Sequence, residues 1–214
     1  MANSRNAILR SVKKALQKGA VPKPFPEIDI KPEFQKLDQS LAQTFAEEFT
    51  KLGGRFVYCS NLDEAKEQLN GLLETRQWEQ TYFRDPLIGE LFQSDQGRLL
   101  QGDSLTNADA AIGFCECLIA RTGSVLSSSF QKDGRELPIY APYHIVVAYS
   151  NQIVFDTNDG LAKIEKKYNG QWPSMICLTA GPSRTADIEK TLVVGVHGPK
   201  EIFVFFIDSL PAAH

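Results

Sequence analysis

Apolar and polar residues change period several times along this chain, and each change marks an element. Between Ser4 and Lys18, Ile8, Val12 and Leu16 recur every four residues, which predicts an amphipathic helix. Pro22, Pro24, Pro26 and Pro32 then punctuate residues 19–32. Proline fixes φ and has no N–H to donate, so an extended linker is expected there. A second helix is expected from Phe34 to Leu52, with Phe34, Leu37, Leu41, Phe45 and Phe49 as its apolar stripe and Gly53-Gly54 as its stop.

Short apolar runs and helical patterns alternate from there. Strands are expected at Arg55–Cys59, Gln80–Phe83, Ala108–Glu116, Leu118–Ser129, Pro138–Ala148, Gln152–Phe155, Ser174–Thr179 and Glu201–Asp208. Helices are expected after Asn61 as far as Arg76, over Pro86–Phe92, and over Asp156–Tyr168 with Leu161, Ile164 and Tyr168 on one face. Alternating strands and helices predict an α/β fold, with a mostly parallel sheet covered on both sides. Ligands of such sheets sit beyond the carboxyl ends of the strands.

Composition narrows the function. The chain has 214 residues, 43% of them apolar, enough for one α/β domain over 34–214 plus an appendage over 1–33 made of the basic helix and the proline-rich linker. Net charge is −3, so no global basic field exists to hold nucleic acid. Positive charge gathers instead at Arg5, Arg10, Lys13, Lys14 and Lys18, which reads as a solvated face or as a docking arm for an acidic partner. The longest apolar strings, such as Ile202–Ile207, are too short to span a bilayer, so no membrane insertion is expected. The N-terminus has no apolar core of a secretory signal, and Ala2 excludes myristoylation, so a cytoplasmic protein is expected.

Cys59, Cys115, Cys117 and Cys177 lie in apolar surroundings without a CxxC pair, which predicts buried reduced thiols and no metal or iron–sulfur site. Cys115 and Cys117, two residues apart, would share one face of a strand.

The chemistry gathers in two stretches. In the first, the apolar run ending at Thr179 meets Gly181-Pro182, then Ser183, Arg184, Thr185, Asp187 and Glu189. This reads as strand, tight turn and first helical turn, whose unpaired N–H groups hold a phosphate or carboxylate. The same residues also suit a plain cap, with Pro182 at the first helical position and Ser183 as N-cap.

In the second stretch, Glu116 interrupts an apolar pattern, as a buried catalytic carboxylate would, or as a solvent-facing strand residue would. Thr122-Gly123-Ser124 is a second candidate anion-binding turn or a bulge, and Arg121 suits a carboxylate or phosphate partner, or plain surface. His197, between Gly195 and Gly198, is a candidate general acid or base or a turn residue, whereas His144 reads as a satisfied core histidine. GxxxxGK[ST] and GxGxxG are absent, and Gly181-Pro-Ser183-Arg-Thr185 matches the GxSxG elbow only in part.

Gly181–Glu189, followed by Val193-Val-Gly-Val-His-Gly-Pro199, resembles the C-terminal signature of the LUD-domain family, in its lactate-utilisation branch. The Thr-Gly-Ser stretch after Glu116 is similar to that family's middle motif. The resemblance covers about Asp109 to Asp208. It implies a three-layer α/β/α fold like that of sugar-phosphate isomerases and CoA transferases. It also implies a part in oxidising L-lactate to pyruvate beside two iron–sulfur partner proteins. Those partners would carry the redox centres, in keeping with the lack of a cysteine cluster here. The chain departs from the pattern at Arg121, where many members carry an acid.

The expectation is thus a subunit that binds an anionic small molecule between the two turns, with Glu116 as acid or base. The cofactor is left open. A stand-alone isomerase or acyl-CoA transferase, with Glu116 as nucleophile, and a non-catalytic assembly module are the alternatives.

Overall fold

The computed structural model describes residues 2–17, 39–92, 99–101, 105, 107–132, 134–185, 193–195 and 198–210. Two units separate, Met1–Leu37 and Asp38–His214. The first contains helix α1 (Ala2–Gln17), on which Ile8, Leu9 and Val12 are exposed beside Arg5, Arg10, Lys13 and Lys14.

The second unit opens with α2 (Leu41–Lys51). Its start is fixed by Ser40, whose extended backbone ends the preceding segment and whose hydroxyl accepts from the Gln43 N–H, while the Gln43 side chain accepts from the Ser40 N–H. The described helix therefore begins at Leu41. Phe34 and Leu37 lie outside the described residues. Gly53, at φ +88°, ends the helix.

Next come β1 (Arg55–Cys59), α3 (Leu62–Arg76), β2 (Thr81–Phe83), α4 (Pro86–Phe92) and β3 (Leu99–Gln101). They are followed by β4 (Ala110–Phe114), β5 (Cys117–Ile119), β6 (Ser124–Ser128), α5 (Leu137–Tyr140), β7 (Tyr143–Tyr149) and β8 (Ile153–Val154). The described chain ends with α6 (Thr157–Lys167), β9 (Ile176–Thr179), β10 (Arg184–Thr185), β11 (Val193–Val194) and β12 (Glu201–Ile207).

Six strands form the main sheet in the order β1-β12-β7-β4-β2-β3, and every neighbouring pair is parallel. Both faces are covered, as the unbroken apolar strands require. On β12, Phe203, Phe205 and Ile207 join Ile145 and Val147 of β7 against Leu69 and Leu73 of α3 and Ile88 of α4. The alternate residues Ile202, Val204 and Phe206 meet Phe45 and Phe49 of α2, whose rings stack 5.2 Å apart.

The strand expected over Pro138–Ala148 is shorter. Pro138 sits in the first turn of α5, where its missing N–H costs nothing, and β7 begins at Tyr143.

A second sheet, β8-β5-β6-β9, is mixed in direction and stands apart from the first. Its entry explains a misplaced pair of cysteines. The main sheet ends at Phe114 and the second begins at Cys117. Cys115 packs with Val146 and Val204, but Cys117 packs with Ile164 of α6, so they do not share a face. Two glutamine side chains stitch this break. Gln131 Nε2 donates to the Phe114 carbonyl at 2.9 Å, and Gln152 Nε2 donates to the Cys115 carbonyl at 2.6 Å. Glu116 sits at the break itself.

Candidate functional site

Because the main strands run parallel, their carboxyl ends share one edge. Residues just past β2 (Asp85, Leu87), β4 (Cys115, Glu116) and β7 (Asn151, Gln152) line a pocket there of about 550 Å³. Phe130, Gln131 and Lys132 from the turn after β6 close a second side, and Lys163, Lys167 and Tyr168 of the α6 segment a third. This is where open parallel sheets hold ligands.

Glu116 is the hub. Its side chain is only 2% exposed. Oε1 accepts from the Ser128 hydroxyl at 2.6 Å and from the Tyr168 hydroxyl at 2.7 Å, while Oε2 accepts from Lys167 Nζ at 2.7 Å. Burial pushes the carboxyl up, but the bonds from Lys167, Ser128 and Tyr168 outweigh it and leave the group below its ordinary value. Burial likewise opposes the Lys167 charge, yet the Glu116 carboxylate holds the ammonium above its usual value. At neutral pH the pair is therefore ionised on both sides. The Tyr168 phenol is pushed up, by burial first and by Glu116 second, and stays a donor.

Among the described residues, charge in the pocket leans positive, with three lysines against the carboxylates of Asp85 and Glu116. Lys132 lies 3.8 Å from Asp85. Lys163 donates to the Asn151 carbonyl and, among the described residues, has no carboxylate at ion-pair distance.

The two turns expected to cradle an anion are filled by the chain itself. Gly123 (φ +56°) backs onto α2 so closely that a Cβ there would lie 2.4 Å from the Phe49 nitrogen. Its own N–H donates to the Ala120 carbonyl, the Arg121 N–H to Phe155, and the Ser124 hydroxyl to the Thr122 carbonyl. Ser124 is buried, and the Thr122 hydroxyl is buried without a hydrogen-bond partner. Arg121 pairs in two-pronged fashion with Asp156, at 3.1 and 3.2 Å, and that aspartate is the N-cap of α6.

At the other turn, Arg184–Thr185 form a strand paired antiparallel with Val193–Val194, not a helix. The Ser183 N–H donates to the Pro199 carbonyl, and its carbonyl accepts from Gly195. Gly181 faces the carbonyl of Leu52, where a Cβ would come within 2.6 Å, and Pro182 lies beside Gly53. The Arg184 guanidinium donates to that same Leu52 carbonyl at 2.9 Å, as a cation does at the negative end of a helix. Both turns thus brace α2, and among the described residues no helix begins at the second one. His197 and Asp187 lie outside the described residues.

His144 is buried, but its Nδ1 has no hydrogen-bond partner, so it is a core histidine without the expected satisfaction. Burial lowers its pKa to about 4. Burial raises the thiols too, Cys59 to about 11 and Cys117 to about 12, which keeps both protonated. Among the described residues no group of three or more His, Cys, Asp or Glu is arranged to hold a metal ion, and no helix is long and apolar enough to cross a membrane.

Sequence reasoning singled out Glu116 but none of its partners. Lys163 and Lys167 look like the solvated face of a helix, and Phe130 and Lys132 carry no signal in the sequence. Tyr168 falls on the apolar face of its helical pattern, which gives no sign of a role for its hydroxyl.

The fold and pocket define an α/β protein whose ligand edge is built from a parallel sheet and a smaller mixed sheet. A family model described as the LUD domain matches residues 42–207, and the chain belongs to that family.

An uncharacterized protein of Neisseria meningitidis serogroup B is 32% identical over 102 residues, 48% of this chain and 43% of that protein. A protein of Oceanobacillus iheyensis named Lactate utilization protein C is 32% identical over 103 residues, 47% of this chain and 44% of the relative. These two matches span less than half of each relative's length. A namesake from Halalkalibacterium halodurans is 26% identical over 193 residues, 81% of this chain and 84% of its own. The fold is also that of a crystal structure of a DUF162 family protein from Deinococcus radiodurans, with a TM-score of 0.60, 19% identity, and coverage of 78% of this chain and 96% of that one.

Proposed function

We propose that this chain is a cytoplasmic subunit of a system that oxidises L-lactate to pyruvate, beside iron–sulfur proteins that carry the electrons. Its own part is to bind an anionic small molecule in the Glu116 pocket. One observation supports this above others: a buried, ionised carboxylate holds a lysine at the ligand edge of a parallel sheet, with two more lysines around it. Relatives named for lactate utilisation support the choice of pathway. The domain over residues 34–214 would carry the site, and the basic helix and proline-rich linker over 1–33 would be a separate arm.

In this reading Glu116 is a positioning residue. All three of its bonds run to pocket or turn side chains, and its ionised state suits an anchor better than a general acid. The ligand's negative charge meets Lys163, Lys167 and Lys132.

A second reading, an acyl-transfer enzyme with Glu116 as nucleophile, is favoured by that same ionisation. Three donors on the carboxylate weaken it as a nucleophile. A covalent acyl adduct at Glu116, sought by mass spectrometry with a panel of acyl-CoAs, would favour this second reading over the first.

Calorimetry of the purified chain with inorganic phosphate, L-lactate and pyruvate tests the binding. At least one anion should bind, and Lys163→Ala or Lys167→Ala should weaken it about tenfold, since a bond to a charged group is worth roughly 1.5–3 kcal/mol. Binding that both lysine variants leave unchanged, or no binding of any anion, overturns the proposal. Ser183→Ala, at the braced turn, should leave affinity unaltered.

A further inference from the structure

The pocket is far larger than a three-carbon hydroxy acid needs. Its volume of about 550 Å³ falls in the range that holds ligands of drug size. One wall is a graded strip. The Phe130 ring lies 4.6 Å from the Tyr168 ring, and the Lys167 ammonium lies 5.0 Å from the Tyr168 ring. Phe130 is 44% exposed at the mouth, although an aromatic ring gains most from cover.

That ring is also held in place. The Phe130 N–H donates to the Ser128 hydroxyl oxygen at 3.2 Å, and the same hydroxyl donates to Glu116. Gln131 closes the turn, accepting from the Ser128 N–H and donating to the Phe114 carbonyl. Glu116 thus fixes both ends of the strip, the cation through Lys167 and the turn that bears Phe130 through Ser128. An exposed ring on a fixed turn is a preorganised stacking surface.

The cations discriminate between anions. Among the described residues three lysines line the pocket and no arginine does. A carboxylate is matched best by the planar arginine fork, whereas ammonium groups act as point charges that suit the several oxygens of a phosphate.

We propose that the pocket binds a mononucleotide-like ligand, a flat aromatic ring joined to a phosphate, with the ring on Phe130 and the phosphate among Lys132, Lys163 and Lys167. This rests on the anion-binding reading of the same site and names its ligand class. Adenine and flavin nucleotides share that chemistry.

Calorimetry on the full chain with AMP, FMN, ribose 5-phosphate and inorganic phosphate separates the parts. At least one of AMP and FMN should bind about tenfold or more tighter than ribose 5-phosphate, and whichever wins identifies the ring. Phe130→Ala should cut that ligand's affinity about fivefold or more, as loss of a stacking partner does, and leave ribose 5-phosphate unchanged. Phe130→Tyr should restore the ring preference, which guards against a folding defect. Lys167→Ala should weaken all four. Equal affinity for the ring-bearing ligands and ribose 5-phosphate, or a ring preference that survives Phe130→Ala, overturns the inference but leaves anion binding standing. Binding of lactate or pyruvate with none of the four phosphates does the same. Failure of every anion removes both.

Discussion

Lys167 Nζ and Glu116 Oε2 stand 2.7 Å apart, joining the last turn of α6 to the point where the chain passes from the main sheet into the second one. Glu116→Gln should therefore cost roughly 1.5–3 kcal/mol at neutral pH, because it removes the charged acceptor from a nearly buried site. The carboxyl is held below its ordinary value of 4.5 in the folded chain, so the unfolded state binds the proton first as pH falls. The stabilisation is thus complete above that value and is lost as pH drops through the lower folded one. Urea midpoints of the two proteins should differ at neutral pH and draw together as acid protonates the folded carboxyl, below its ordinary value. A gap that widens in acid would contradict the ionised assignment.

The contact between Gly123 and α2 makes a sharper claim about stability. Alanine there meets a left-handed φ of +56° and the backbone of Phe49 at 2.4 Å. The backbone term is about 1–2 kcal/mol and overpacking adds about 1–3. Gly123→Ala should lower stability by at least about 2 kcal/mol in chemical denaturation. A stable variant that had lost only anion binding would restore the ligand-turn reading.

Arg121 and Asp156 pair at the start of α6. Asp156 caps α6, and the arginine bond holds its carboxyl below the usual range. Asp156→Ala should cost roughly 1–2 kcal/mol, as lost caps do. Arg121→Gln should cost under about 1 kcal/mol, since the guanidinium is partly exposed. Arg121→Glu should cost more than Arg121→Gln by setting two carboxylates together. Thermal melts of the three variants check the order, and equal losses for the two Arg121 variants would contradict the pairing.

His144 predicts a distinct acid sensitivity. Its folded pKa of about 4 lies below the ordinary 6.5, so protons favour the unfolded state between those values. As pH falls across that window the chain should lose up to roughly 3 kcal/mol on this account, at about 1.36 kcal/mol per unit. His144→Phe removes the titration and the unpaired Nδ1, so its stability should change less with pH over the same interval. Parallel pH profiles for the two proteins would mean the imidazole is not held neutral.

Local pattern carried much of the fold. Arg55–Cys59 and Pro86–Phe92 form where the periodicity put them, and Asn61 and Asp156 cap the helices they precede. What failed was decided by distant partners. Gly181-Pro182-Ser183 carries the signals of a helix start, but Val193–Val194 supplies a strand to pair with, and the extended form wins. The pattern predicts a strand as far as Glu116, but β4 ends at Phe114; nothing local shows that Gln131 and Gln152 will catch the carbonyls where the chain changes sheets. Of the site, only the polar interruption at Glu116 was visible. Lysines on a helix look the same whether they face water or a cavity.

The position of β12 in the main sheet bears on biogenesis. This late strand lies between β1 and β7, with Phe203 in register with Arg55 on one side and with Ile145 on the other. A nascent polypeptide leaving the ribosome therefore presents β1 long before its neighbour β12 exists, with a wide loop still to close. Until residues 201–207 emerge, sticky edges on both sides of the gap stay open to wrong partners, so chaperone occupancy should concentrate in that interval of synthesis.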